Sequence, residues 1–175
     1  MLFRGRVPDA TVWRRFRPRE DVFAFRQESG LYVAEVAAGA ERSVDLLHAL
    51  LEHLPPVVGL ALECVRTGRE FVGEGLQLAE VRETVARLKV PLVASAGVEL
   101  TVFTDDEQLS LSAMLDLWVF AKTDRWLYLL QGRGLEERAE LPRRSWTLGR
   151  DGFSGSPEIV EAVAAAAARL TLHEG

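Results

Sequence analysis

The chain has 175 residues, 48% of them hydrophobic and 27% charged, with a net charge of −5. That is enough chain to bury a sizeable core, and it excludes a disordered polyelectrolyte. The longest purely apolar run, Ala162 to Ala168, is far short of the roughly 20 residues that span a bilayer. Together with the absence of a signal-like apolar stretch after Met1, it leads to the expectation of a cytoplasmic protein. Cys64 is the only cysteine, so no intrachain disulfide and no thiolate metal site can be built.

Charge is uneven along the chain. The first 26 residues carry seven arginines (4, 6, 14, 15, 17, 19 and 26) against Asp9, Glu20 and Asp21, so the remainder is strongly acidic. Phe3, Val7, Val12, Trp13 and Phe16 are interleaved with those arginines. The expectation is a basic N-terminal arm, residues 1–20, packed on the body or on a partner, with Arg14, Arg15 and Arg17 as partner-binding candidates. The rest reads as the body of a single domain spanning 1–175.

Val22 to Arg26 and Leu31 to Val36 form a hairpin candidate around Glu28, Ser29 and Gly30. A helix is expected from an N-cap at Ser43, with Leu47, Leu50, Leu51 and Leu54 on one stripe and Pro55–Pro56 as its stop. Val57 to Val65 reads as a strand containing Cys64. Thr67 and Gly68 mark a turn, and Glu70 to Val72 reads as a short return strand. A second helix is expected from Leu76 to Lys89 on the stripe Leu78, Val81, Val85 and Leu88, stopped by Pro91, with a brief strand at Leu92–Ala94.

From Val98 to Gln131 the pattern predicts a three-stranded meander. Val98–Phe103 alternates, Thr104–Glu107 is polar, Leu109–Phe120 alternates over a long stretch, Lys122–Arg125 is a turn, and Trp126–Leu130 reads as the third strand. The chain is polar after Gly132, and Gly149–Gly155 is a glycine-rich loop. Ser156, Pro157 and Glu158 then make a helix start, and the helix runs to about Leu170. The expected fold is α+β, an antiparallel or mixed sheet of five to seven strands with helices mainly on one face, as a two-layer sandwich. From Ser43 the expected order is helix, two strands, helix, three strands, helix. In element order alone this is similar to Roadblock/profilin-type sandwiches, which implies an interaction scaffold.

Candidate chemistry is sparse. His48 and Glu52 share a helix face, but two ligands do not make a metal site, and no Gly-x-Ser-x-Gly elbow surrounds any serine. No catalytic residue, metal or cofactor is assigned. The acidic turn Asp105–Asp106–Glu107 is expected to meet Arg133 at the end of the meander. Arg150, Gly152, Gly155 and Ser156 are anion-binding candidates, because a glycine-rich backbone and a helix N-terminus converge there. Trp118, Phe120, Trp126 and Tyr128, flanked by Arg125 and Arg133, are core or partner surface. In the second case Trp126→Ala would weaken association without unfolding the chain.

The function expected from these features is a non-enzymatic protein–protein interaction module: a regulatory subunit, an adaptor or an immunity-type inhibitor. It would bind a protein partner or a second copy of itself. One alternative is a small enzyme or anion- or nucleotide-binding protein that uses the Gly149–Gly155 loop. The other is nucleic-acid contact through the basic arm, the least favoured of the three.

Overall fold

The computed structural model describes residues 20–141, 150–153 and 156–175. In chain order the elements are β1 (Val22–Glu28), β2 (Leu31–Ala37), α1 (Ala40–Leu50) with a 3-10 turn (Leu51–His53), β3 (Val57–Cys64), β4 (Arg69–Gln77), α2 (Leu78–Ser95), β5 (Val98–Phe103), β6 (Glu107–Leu111), β7 (Leu117–Ala121), α3 (Arg125–Gly132), β8 (Glu136–Glu137), a 3-10 turn (Arg150–Gly152), α4 (Pro157–Arg169) and β9 (His173–Glu174). The class is α+β. The strands form one mixed sheet in the order β8-β1-β2-β7-β6-β5-β3-β4-β9. Every pairing is antiparallel except β1 with β8.

Among the described residues, nine strands replace the expected five to seven. Two of them, β8 and β9, are two-residue edge strands, too short to leave a periodic signal. They cover the outer rims of β1 and β4, where unpaired backbone groups would otherwise face solvent. The N-terminal hairpin is not separate from the sheet either, because β2 pairs with β7 over Tyr32–Val36.

Local chemistry accounts for the hairpin. Ser29 and Gly30 both sit at positive φ, 51° and 84°, the twist a two-residue hairpin turn requires, and they set Glu28 opposite Leu31. The long strand expected over Leu109–Phe120 is broken into β6 and β7 by a turn at 112–116. Ser112 Oγ accepts the backbone N–H groups of Met114 (3.3 Å) and Asp116 (3.0 Å), and Leu115 N–H bonds back to Ser112 O at 2.7 Å. Leu115 is fully buried at φ 63°. Its side chain therefore continues the apolar alternation straight through the turn and hides it from a pattern reading.

The third meander strand is instead helix α3. In Trp126-Leu127-Tyr128-Leu129-Leu130 every residue is apolar or aromatic, so periods of two and of four fit equally well. The fold selects four: Trp126 and Leu130 are buried, and Tyr128 is 64% exposed. Pro91 likewise does not stop α2, which continues through it to Ser95. Proline inside a helix costs about 3 kcal/mol. Here Leu92, fully buried one residue later, and Ser95 extend the inward stripe beyond Leu88 and offset that cost. No strand forms at Leu92–Ala94.

Helix α1 begins three residues before the expected cap. Gly39 is the N-cap, and Ser43 is buried inside the helix. Lys89 Nζ of α2 reaches Asp45 (2.7 Å) and Glu41 (3.2 Å) of α1, which ties the two helices together. Helix α4 starts as expected, with Ser156 at the N-cap and Pro157 in the first turn.

One contiguous core joins the helix stripes to one sheet face. It contains Phe23, Ala34, Val36, Leu117, Val119, Leu109, Leu111, Leu100, Val102, Leu60, Leu62 and Phe71 from the strands. Leu47, Leu50, Val81, Val85, Leu88, Trp126, Ile159 and Val163 come from the helices. Val22 and Val33, on the opposite face, are buried but stand outside this cluster.

Candidate functional site

Strand register places the remaining side chains in rows across that opposite face. One row runs Gly59, Phe103, Gln108, Phe120, Val33, Arg26. The next runs Val72, Ala61, Thr101, Ser110, Trp118, Glu35, Ala24. A third, shorter row sets Glu63 directly opposite both Glu70 and Glu99.

The rows differ in chemistry. Trp118 and Phe120 stack nearly parallel, with ring centroids 6.2 Å apart and an interplanar angle of 9°, and Arg26 lies over Trp118 at 5.9 Å. Both rings are half-buried. Beside them Thr101 Oγ1 and Ser110 Oγ share a 3.0 Å hydrogen bond, and Gln108 Nε2 donates to Ser110 Oγ at 2.8 Å. In the carboxylate row, burial chiefly, and then the charge of Glu63, push the Glu99 carboxyl above its ordinary range, although a backbone hydrogen bond from Ala113 opposes them.

At the Gly59 end, the face runs into a cleft of about 1020 Å³. It is bounded by the 3-10 turn after α1, the start of β3, the end of β4, the β5–β6 turn and the start of α3. Gly59 is what opens its floor: a Cβ at that position would overlap the Phe103 ring, which lies across it. The wall is held by Glu107, whose side chain is only 10% exposed. Its Oε1 accepts Arg125 Nε (2.7 Å) and Trp126 Nε1 (3.0 Å), and its Oε2 accepts the second Arg125 nitrogen. That nitrogen also donates to His53 O at 2.9 Å. The His53 ring meets Trp126 edge-on at 6.4 Å, and its Nε2 lies 3.4 Å from Glu52.

The expected aromatic quartet is therefore divided. Trp118 and Phe120 share the open sheet face. Trp126 is fully buried under Arg125, whose guanidinium lies 5.1 Å from the ring centroid, and Tyr128 points outward from α3. Arg133 does not meet the acidic turn: it pairs with Glu52, while Lys122 takes Asp106 at 2.6 Å and Arg125 takes Glu107. The meander expectation put Arg133 beside that turn because it treated Trp126–Leu130 as extended. A helix covers less length and turns the chain toward α1.

In the glycine-rich loop, Arg150 Nε donates to Val65 O at 2.8 Å and Asp151 pairs with Arg66 at 2.6 Å. Gly152 closes a 3-10 turn, and Ser156 Oγ shares a 3.2 Å hydrogen bond with Ser95 Oγ. Gly149 and Gly155 lie outside the described residues, as do Arg14, Arg15 and Arg17. Cys64 is free and buried. Among the described residues, no three His, Cys, Asp or Glu side chains are grouped to hold a metal ion, and no helix is long and apolar enough to cross a membrane.

Sequence reading missed the cleft because its walls come from five separated segments. Its one advance signal is Gly59, a glycine in the middle of the Val/Leu strand β3. From α1 the described order is helix, two strands, helix, three strands, helix, strand, helix, strand: the third strand of the block is Leu117–Ala121, and α3 and β8 stand between it and the expected last helix, α4. No family model, curated protein sequence or solved structure matches this chain significantly.

Proposed function

We propose that the chain is a non-enzymatic protein–protein interaction module that serves as a regulatory subunit, an adaptor or an immunity-type inhibitor. In this reading it docks a protein partner or a second copy of itself on the sheet face bearing Trp118 and Phe120. The observation that carries the reading is the half-buried Trp118–Phe120 stack with Arg26 over it, on a face that lies outside the core. Stacked aromatics with an arginine at their edge are the side chains that dominate interface energetics.

The helices then lie mainly on the other face, as a two-layer sandwich within one domain spanning 1–175. The carboxylates of Glu35, Glu63, Glu70 and Glu99 favour a basic occupant and disfavour a nucleic-acid backbone. The arginine- and aromatic-bearing arm, residues 1–20, has that chemistry, and we assign it to packing on this body or on its partner. A cytoplasmic location fits the lone reduced cysteine.

The test uses the full chain and the Trp118→Ala/Phe120→Ala double variant. Sedimentation velocity over a concentration series reads self-association, and tryptic cleavage at the arm arginines reads arm packing. A weaker dimer or faster cleavage, with an unchanged melting temperature, supports the reading. A monomer whose cleavage rate is the same in both proteins removes it.

A further inference from the structure

The cleft at the Gly59 end is, like the sheet face, richer in carboxylates than in cations among the described residues. Two cations line it, and both are committed: Lys122 to Asp106 at 2.6 Å and Arg125 to Glu107. Asp105 stands close enough to Lys122 to favour its charged form as well, after Asp106. Glu74 and Asp105 also line the cleft, are exposed, and form no ion pair among the described residues. Among the described residues the lining therefore carries four carboxylates, Glu74, Asp105, Asp106 and Glu107, against Lys122 and Arg125.

The floor is the Phe103 ring, kept over the strand by the missing side chain of Gly59. Leu54, Pro55 and Val57 make an apolar wall, and Val57 is 47% exposed. An aromatic face beside free carboxylates attracts positive charge, and the apolar wall accepts a flat or aliphatic body. The geometry is also set in advance, because Glu107, with three donors on its two oxygens, fixes the wall in which Arg125 and Trp126 sit.

From this we infer that the cleft binds an organic cation, an ammonium or guanidinium compound with an aliphatic stem. The charged head would lie over Phe103 between Glu74 and Asp105, with the stem along Pro55 and Val57. Anions are disfavoured, since both cations of the described lining, Lys122 and Arg125, are already paired. The Phe103 floor continues the row that bears Phe120, but the assignment does not rest on the docking role of the Trp118–Phe120 surface.

Agmatine is a suitable probe, titrated calorimetrically into the full chain at low salt, with inorganic phosphate as the anionic control. Saturable agmatine binding and no phosphate binding are expected. Glu74→Gln/Asp105→Asn should weaken agmatine roughly ten-fold, a loss of about 1.4 kcal/mol, with an unchanged melting curve because both carboxylates are exposed. Phe103→Leu should weaken it about two- to five-fold through the lost cation–π contact. Phosphate binding in place of agmatine, equal agmatine affinity in the carboxylate double variant, or no saturable heat at millimolar agmatine would overturn the assignment.

Discussion

The two faces of this sheet are made by the same strands and differ in almost every other respect. On one face Leu100, Val102, Leu109, Leu111, Leu117 and Val119 are all at or near zero exposure and join the helix stripes in one cluster. On the other face, shifted by one residue along each strand, stand Thr101, Phe103, Gln108, Ser110, Trp118 and Phe120, all half-buried. A period of two lets one backbone serve both purposes. The helix-side face is committed to stability, and the opposite face keeps large side chains near solvent, where they can change partners. The difference teaches that aromatic content does not by itself mark a functional surface. Trp126 and Trp118 are equivalent in a one-dimensional pattern, yet one is a fully buried core residue and the other is half-buried on the opposite sheet face.

Substitution of those two tryptophans is the strongest way to break the comparison. Trp126→Ala removes a fully buried indole and a donor to Glu107, and should cost about 3–5 kcal/mol, a large share of the roughly 5–15 kcal/mol that holds a domain folded. Because Trp126 is fully buried, the expected readout of this variant is lost stability rather than weakened association. Trp118→Ala should cost under about 1 kcal/mol, because the ring is only half-buried and stacks on one neighbour. Chemical denaturation of both variants checks the ranking, and equal losses would erase the distinction between the faces. Between them lies Glu107→Ala. It leaves the Trp126 N–H without its acceptor and the Arg125 guanidinium with only His53 O, an expected loss of about 1–3 kcal/mol, read in the same denaturation series.

The parts of this fold that were legible in the sequence are those fixed by short-range chemistry. Ser29–Gly30 can only be a tight turn between apolar runs, and Ser156-Pro157-Glu158 can hardly be anything but a helix start. The segments that misled are those in which tertiary burial overrides local preference. Leu115 sits buried in a turn residue's backbone conformation, Leu92 holds a helix together past Pro91, and the uniformly apolar Trp126–Leu130 fits either period. The candidate sites were legible only in fragments. Trp118 and Phe120 were visible as alternating aromatics, but their separation from Trp126 and Tyr128 is a helix-versus-strand decision. The cleft needs long-range register, which no local pattern carries.

Register also created the acidic row, and it supplies the subtlest test of the two faces. Glu63 stands across from Glu70 on one side and Glu99 on the other, and like charges directly opposite destabilise a sheet by roughly 0.2–1 kcal/mol. The Glu99 carboxyl is pushed up by burial first and by Glu63 second, so the folded chain holds that proton more tightly than the unfolded chain does. The sign follows from linkage: ionising Glu99 costs the folded state more, so its penalty is absent below the unfolded carboxylate range and complete above the raised folded value. Glu99→Gln should therefore stabilise the protein by a few tenths of a kcal/mol, up to about 1, at neutral pH. The advantage should shrink toward zero as pH falls below the ordinary glutamate value of about 4.3. Denaturation midpoints of both proteins across that range measure it. A variant that is less stable at neutral pH, or whose advantage does not depend on pH, would show that burial and the Glu63 charge do not set the cost of ionising Glu99.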